Sequence, residues 1–184
     1  MKRVRLLCED RRAERFLRTL CQRFGVKVLE IVIAPKGRGA ASDWVLAQYP
    51  RLTRQHRSQK FQRNLGLLVH IDGDAAGVQA RKSALDASLA ASNPPLGHRK
   101  HDEPVAIFVP TWCIETWLLH LAGISQPPET ARLKRYPDPA HRPAMGELEA
   151  DETAVIERAV KAWPGASSPS LQDAATEGRR IGFH

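Results

Sequence analysis

Four short apolar runs mark the first two thirds of the chain, with longer polar stretches between them. The runs cover residues 3–8, 26–34, 65–71 and 105–110. The third run is apolar on both faces of the strand it would form, which is typical of a buried strand in a parallel sheet. We therefore predict four strands.

Helical spacing fills the intervals between these strands. In residues 11–25, apolar side chains recur every three or four positions until Gly25 ends the pattern. Similar helices are predicted over residues 75–92 and 111–123. Strands that alternate with helices indicate an α/β fold, here a Rossmann-like, mainly parallel four-stranded sheet with helices on both faces.

The segment between the second and third strands is predicted to be a broken helix. Ser42 or Asp43 is suited to cap a helix that begins at "WVLAQY". Pro50 is expected to interrupt this helix, because proline removes a main-chain donor. A basic segment then follows over residues 51–64.

The alternating pattern ends near residue 123. Residues 124–146 are rich in proline, one clear helix is predicted over residues 150–163, and a polar tail follows. The length of 184 residues is that of one ordinary domain. We therefore assign residues 1–123 to an α/β domain and residues 124–184 to a helical and irregular appendage of the same domain.

The net charge of +8 is concentrated in one part of the chain. Between residues 31 and 71, Asp43 is the only acidic residue. The basic residues of that interval are Lys36, Arg38, Arg51, Arg54, Arg57, Lys60 and Arg63. Such asymmetry predicts a nucleic-acid-binding surface, although a solvated helix face has the same composition. Arg81 and Lys82 are further candidates, since the helix that carries them follows the third strand.

The spacing of the cysteines and the composition of the N-terminal residues indicate the cellular compartment. Cys8, Cys21 and Cys113 form no C-x-x-C pair, which fits a reducing cytoplasm. The N-terminus turns acidic and basic after only a few apolar residues, unlike a signal peptide, and no long apolar run occurs elsewhere. We expect a soluble cytoplasmic protein with no membrane contact.

Acidic residues follow two of the predicted strands. Glu9 and Asp10 come after the first, and Asp72 and Asp74 come after the third. If these strands are neighbours, the carboxylates meet at one edge of the sheet, where their repulsion favours a cation. Oxygen ligands without a Cys/His cluster select Mg²⁺ or Mn²⁺.

Two neighbouring residues bear on this predicted metal site. Gly73 is expected to let the chain bend so that both aspartates reach the same ion. Glu115 lies near the start of the helix after the fourth strand, at the same edge of the sheet. We include it, with Asp10, among the further candidate ligands.

These motifs resemble a known family. A glutamate that ends the first strand, an apolar strand that closes in Asp-Gly-Asp, and the later segment "VPTWCIETWLL" resemble TOPRIM domains of topoisomerases, primases and OLD-type nucleases. The resemblance covers about residues 3–123. It is strongest to the small bacterial OLD-type and TOPRIM-like proteins linked with anti-phage defence.

The resemblance implies roles for three acidic residues. Glu9 would be the catalytic general acid/base or metal-linked glutamate, and Asp72 and Asp74 would be catalytic metal ligands. The implied activity is Mg²⁺-dependent (or Mn²⁺-dependent) hydrolysis of DNA or RNA by a nuclease of bacterial defence or DNA repair. One departure is Asp10, which stands where the family usually has glycine.

A second hypothesis remains open. The chain is, on this alternative, a non-catalytic TOPRIM-like subunit that binds nucleic acid or a partner within an ATPase-containing complex. Metal binding distinguishes the two hypotheses. The sequence indicates neither the strandedness of a nucleic-acid substrate nor an oligomeric state.

Overall fold

The computed structural model describes residues 1–37, 40–59, 61, 64–125, 127, 129, 131, 133, 139–163 and 168–184. Its centre is a four-stranded sheet in the order β2-β1-β3-β4. The strands are β1 (Arg3–Cys8), β2 (Lys27–Ile33), β3 (Leu65–His70) and β4 (Val105–Phe108). All neighbouring pairs are parallel. The predicted α/β class is confirmed, and so is the adjacency of the first and third strands.

Seven α-helices surround this sheet in the part of the chain that the structure describes. They are α1 (Arg11–Arg23), α2 (Ala41–Ser58), α3 (Gly77–Ala90), α4 (Ile114–Leu121), α5 (Arg142–Ala150), α6 (Glu152–Ala162) and α7 (Pro169–Arg179). None of them combines the length and the apolar character that a membrane crossing requires.

The helices form two layers with separate cores. Helices α1, α4, α5, α6 and α7 contribute buried residues to the core on one face of the sheet. Helices α2 and α3 contribute to the core on the other face. The loops after β1 and β3 therefore lead to opposite faces. In doubly wound folds, the place at the carboxyl edge where the loops of adjacent strands part in this way forms the ligand-binding crevice, and here that place is between β1 and β3.

Helix α2 differs from its prediction in two ways. It continues through Pro50, and its N-cap is Ala40 without a side-chain cap, so neither Ser42 nor Asp43 caps it. Val45, Tyr49 and Leu52 of this helix are completely buried. Burial of each such side chain contributes about 1.5–3 kcal/mol, which together offsets the roughly 3 kcal/mol cost of an internal proline.

The C-terminal part of the chain contains more helix than the sequence predicted. Helix α5 lies where a proline-rich irregular segment was expected, and α7 lies in the expected polar tail. Helix α7 has a serine N-cap, Ser168, followed by proline, a start signal that its polar composition concealed. Leu171 and Phe183 of this region are buried in the same core as α1.

Aromatic rings join the C-terminal helices to the sheet. Trp163, directly after α6, stacks on Phe108 of β4 with ring centroids 5.6 Å apart. Phe16 of α1 meets the same indole edge-on at 6.0 Å. Residues beyond 123 thus complete the core on the α1 face of the sheet.

Candidate active site

Glu9 and Asp72 meet at the crevice between β1 and β3. The main-chain N–H of Asp72 donates a hydrogen bond to Glu9 Oε1 at 2.9 Å. Glu9 is 7% exposed and Asp72 is 1% exposed. The meeting follows from the register of the two strands, which pairs Leu7 with Val69 and so ends both strands at the same level.

Asp72 is held by three different elements. Its N–H contacts Glu9, its main-chain carbonyl accepts from Arg81 Nε at 3.0 Å, and its Oδ1 accepts from the N–H of Ile114 at 3.2 Å. Ile114 begins α4, whose own N-cap residue, Cys113, supplies no side-chain cap. Asp72 therefore caps α4 from another element, and its carboxyl group lies at the positive end of the helix dipole.

Gly73 lies where two loops approach closely, a constraint that the sequence did not indicate. Its N–H donates to Pro110 O at 3.0 Å, and the N–H of Asp74 donates to Trp112 O at 2.9 Å. A Cβ at Gly73 would lie 2.2 Å from Thr111 O and 2.6 Å from Pro110 O. The loops after β3 and β4 are in main-chain contact, and a side chain would force them apart.

Asp74 has very different surroundings from Asp72. Its φ of 48° is in the left-handed region, which is strained for residues other than glycine but tolerated by aspartate. Its side chain is 47% exposed, and Oδ2 lies 3.3 Å from Nη2 of Arg81. Such strained conformations are concentrated at functional sites.

Asp10 and Glu115 have other roles in the fold. Asp10 is the N-cap of α1, with Oδ1 accepting from the N–H of Ala13 at 2.9 Å. Glu115 is 1% exposed and its Oε1 lies 2.7 Å from Nη1 of Arg12. Arg12 and the N–H groups at the start of α1 thus balance these two carboxylates, and the metal site at Glu9, Asp72 and Asp74 stays a prediction.

In the described part of the chain, no group of three or more His, Cys, Asp or Glu side chains is placed to hold a metal ion. The donor atoms at the carboxyl ends of β1 and β3 are nevertheless of a type that suits a hard cation. Burial, with the charges of Glu115 and Asp72, raises the pKa of Cys113 to about 12. Cys113 therefore remains a neutral thiol, and carboxylate oxygens are the donors that Glu9, Asp72 and Asp74 offer.

A cleft of about 670 Å³ opens beside Glu9 at the carboxyl ends of β1 and β2. Four basic residues line it: Arg11, Arg12, Arg15 and Lys36. Four acidic residues also line it: Glu9, Asp10, Glu115 and Glu152. Lys36 is the one cation of this cleft that the sequence analysis had assigned to nucleic-acid binding.

The basic segment lies mostly away from this cleft. Helix α2 begins at the carboxyl edge, and its 18 residues span ~27 Å toward the opposite edge. Near its end, Arg57 Nη2 bonds Glu103 Oε2 at 2.9 Å, just before β4. Arg54 donates to Pro94 O at 2.9 Å, and Arg51 bonds Gln48 at the same distance on an exposed surface.

The remaining predicted cations divide into three groups. Lys82 Nζ is used internally, 2.6 Å from Asp173 and 3.3 Å from Glu177. Arg81 lies in the candidate site itself, between Asp72 and Asp74. The others lie outside the described residues: Arg38, Lys60 and Arg63.

Sequence reasoning missed Arg12 and Glu152. Arg12 Nε bonds Glu152 Oε2 at 2.9 Å and so ties α1 to α6. Burial lowers the pKa of Arg12, but the charges and hydrogen bonds of Glu115 and Glu152 outweigh burial and raise it overall. The only local signal was the cluster of arginines directly after Glu9, which resembled an ordinary solvated helix face.

Comparisons with known proteins returned no match. This holds for the scan against protein-family models, the search of curated proteins and the search of solved structures.

Proposed function

We propose that this chain is a divalent-metal-dependent nuclease that hydrolyses phosphodiester bonds in DNA or RNA. The observation that supports the proposal most is the junction of Glu9 and Asp72 at the crevice between β1 and β3. Two buried carboxylates from adjacent strand ends, with the strained Asp74 on the next turn, offer oxygen donors of the kind that Mg²⁺ or Mn²⁺ prefers. The resemblance of the sequence to TOPRIM domains implies acidic residues at these same positions.

In this proposal Glu9, Asp72 and Asp74 would hold the metal. A bound divalent ion supplies Lewis-acid stabilisation of the phosphoryl oxygens and lowers the pKa of a water ligand. Asp74 is half exposed and contacts Arg81 through an ion pair at 3.3 Å, so it can turn from the guanidinium toward a ligand at low cost.

The chain's own contacts keep this site ordered. The Ile114 N–H, at the N-terminus of α4, fixes the position of Asp72 Oδ1. Arg81 fixes the main-chain carbonyl of Asp72. Glu9 contacts Asp72 and lines the cleft, and in this proposal it would hold the metal or accept a proton from an attacking water.

A cleavage assay with matched variants tests this proposal. Wild type, Asp72→Asn, Glu9→Gln and the exposed control Glu149→Gln are incubated with single- and double-stranded DNA and RNA in Mg²⁺, Mn²⁺ or EDTA. Asp72→Asn keeps an acceptor for the Ile114 N–H, so the fold should survive. We expect metal-dependent cleavage by wild type and Glu149→Gln and none by the two site variants. Equal cleavage by all four proteins would contradict the proposal.

One observation favours the alternative of a non-catalytic subunit. Asp10 caps α1, Glu115 pairs with Arg12, and Asp74 pairs with Arg81, so these carboxylates contribute to stability without a metal. Nucleic-acid binding without cleavage in any metal would support this alternative.

A further inference from the structure

The cleft beside Glu9 separates its charges by depth. The acids Glu9 and Glu115 are buried, at 7% and 1% exposure. The cations Arg11, Arg15 and Lys36 are exposed. The exposed charges of the lining are therefore all positive, whereas the acids Asp10 and Glu152 are half-buried and Glu9 is buried.

Two of the four cations are engaged by the walls of the cleft. Arg12 bonds Glu115 at 2.7 Å and Glu152 at 2.9 Å, and Arg15 bonds the other oxygen of Glu152 at 2.8 Å. These contacts link α1, α4 and α6, so Arg12 is a positioning residue that stiffens the wall. The charge of Arg12 is balanced by Glu115 and Glu152.

The other two cations are available to a ligand. Arg11 and Lys36 form no ion pair with any residue in the described ranges. Arg11 is the first residue of α1, where the helix dipole adds to its positive charge. Lys36 follows β2, whose carboxyl end lies beside that of β1 through the pairing of Ile33 with Cys8.

We propose that this cleft seats the sugar-phosphate backbone of a nucleic acid, with Arg11 and Lys36 contacting successive phosphates beside Glu9. Charge-assisted bonds from guanidinium and ammonium groups to phosphate are the usual means of positioning a nucleic-acid backbone. The surface is distinct from the basic segment of α2, whose last arginine, Arg57, is paired with Glu103 near the opposite edge. The inference rests on the proposed function for its reaction, but binding is measured independently of cleavage.

The test compares two double variants with the same loss of charge. Arg11→Gln/Lys36→Gln removes two exposed cations of the cleft. Arg142→Gln/Lys27→Gln removes one exposed arginine at the start of α5 and one exposed lysine at the amino end of β2, neither of which is assigned to nucleic-acid binding. Fluorescence anisotropy with labelled single-stranded DNA, single-stranded RNA and duplex DNA measures Kd in EDTA over a range of KCl concentrations. The absence of divalent metal prevents cleavage.

We expect the cleft variant to bind single strands at least tenfold more weakly than wild type at low salt. Its slope of log Kd against log salt should fall by about 1.4, which corresponds to roughly 0.7 for each lost phosphate contact. The control variant should stay within twofold of wild type in Kd. The DNA and RNA probes show which backbone is preferred.

Three results would overturn the inference: wild type binds none of the probes, the cleft variant binds as wild type does, or both variants weaken binding equally. Each is distinct from a failure of the nuclease proposal. Loss of binding by the cleft variant without cleavage by wild type would leave the cleft assignment intact and remove the nuclease. Cleavage that depends on Glu9 but not on Arg11 and Lys36 would leave the nuclease proposal intact and contradict the cleft assignment.

Discussion

Asp72 shows how one side chain can serve stability and chemistry together. Its main chain is bonded to Glu9 and Arg81, and its carboxylate caps α4 through Ile114. These contacts place a charged oxygen at the bottom of the crevice and limit its motion. Preorganised charged groups of this kind contribute more to a reaction than groups that must be ordered when substrate arrives.

Gly73 offers a test of the loop contact beside this aspartate. Gly73→Ala places a Cβ 2.2 Å from the carbonyl oxygen of Thr111, which is main chain and cannot rotate away. We expect a loss of about 1–3 kcal/mol in the free energy of unfolding, typical of overpacking. Chemical denaturation with urea measures it.

The control for that variant is Gly146→Ala in α5, where the added Cβ meets open space. This change should stabilise the protein by about 0.5–1 kcal/mol, because alanine is the better helix former. Equal stability of Gly73→Ala and wild type would mean that the two loops are not in firm contact.

At the scale of elements, α7 packs along the outer edge of β4, which is the last strand of the sheet. Glu177 of α7 accepts from the N–H of Ile107 at 3.2 Å, in place of a further strand. Arg99 Nη2 donates to Glu177 Oε1 at 2.9 Å, and Lys82 lies 3.3 Å from the same oxygen. Burial raises the pKa of Glu177, but the hydrogen bonds and charges of Arg99 and Lys82 outweigh it and lower the pKa overall.

This lowered pKa gives a prediction about pH. An acid whose pKa is lower in the folded state stabilises the fold above its unfolded pKa, about 4.3 for glutamate, and loses that contribution as pH falls through the folded value. Glu177→Gln should therefore destabilise the protein at pH 7, by about 3 kcal/mol if the loss is typical of a broken buried pair. The difference from wild type should shrink below about pH 4.

Thermal unfolding of wild type and Glu177→Gln between pH 3 and pH 7 checks this expectation, with the exposed Glu157→Gln as the control. A difference in stability that stays constant over the whole range would show that the charge of Glu177 is not responsible.

At the scale of the whole molecule, local patterns predicted the sheet but not the balance of charge around its edge. The four apolar runs and the helices between them are local features, and parallel strand ends must share an edge, so Glu9 and Asp72 could be placed together from the sequence. The pairs of Arg12 with Glu115 and Glu152 join residues more than 100 positions apart. No spacing rule indicates such partners.

The same distinction explains the errors in individual elements. Pro50 is a local signal for a break, but the burial of Tyr49 and Leu52 against the sheet outweighs it. The polar composition of α7 predicts a tail, but contacts with β4 and the α1-face core hold it as a helix. In both cases packing between distant segments decides the structure.

The most direct measurement of the central claim is a calorimetric titration of Mn²⁺ into wild type, Asp72→Asn and the control Glu149→Gln. If Glu9, Asp72 and Asp74 form a metal site, wild type and the control bind one ion with matching heats, and Asp72→Asn loses that binding while it unfolds cooperatively as wild type does. Binding of Mn²⁺ by Asp72→Asn with wild-type affinity, or no binding by wild type, would contradict the account.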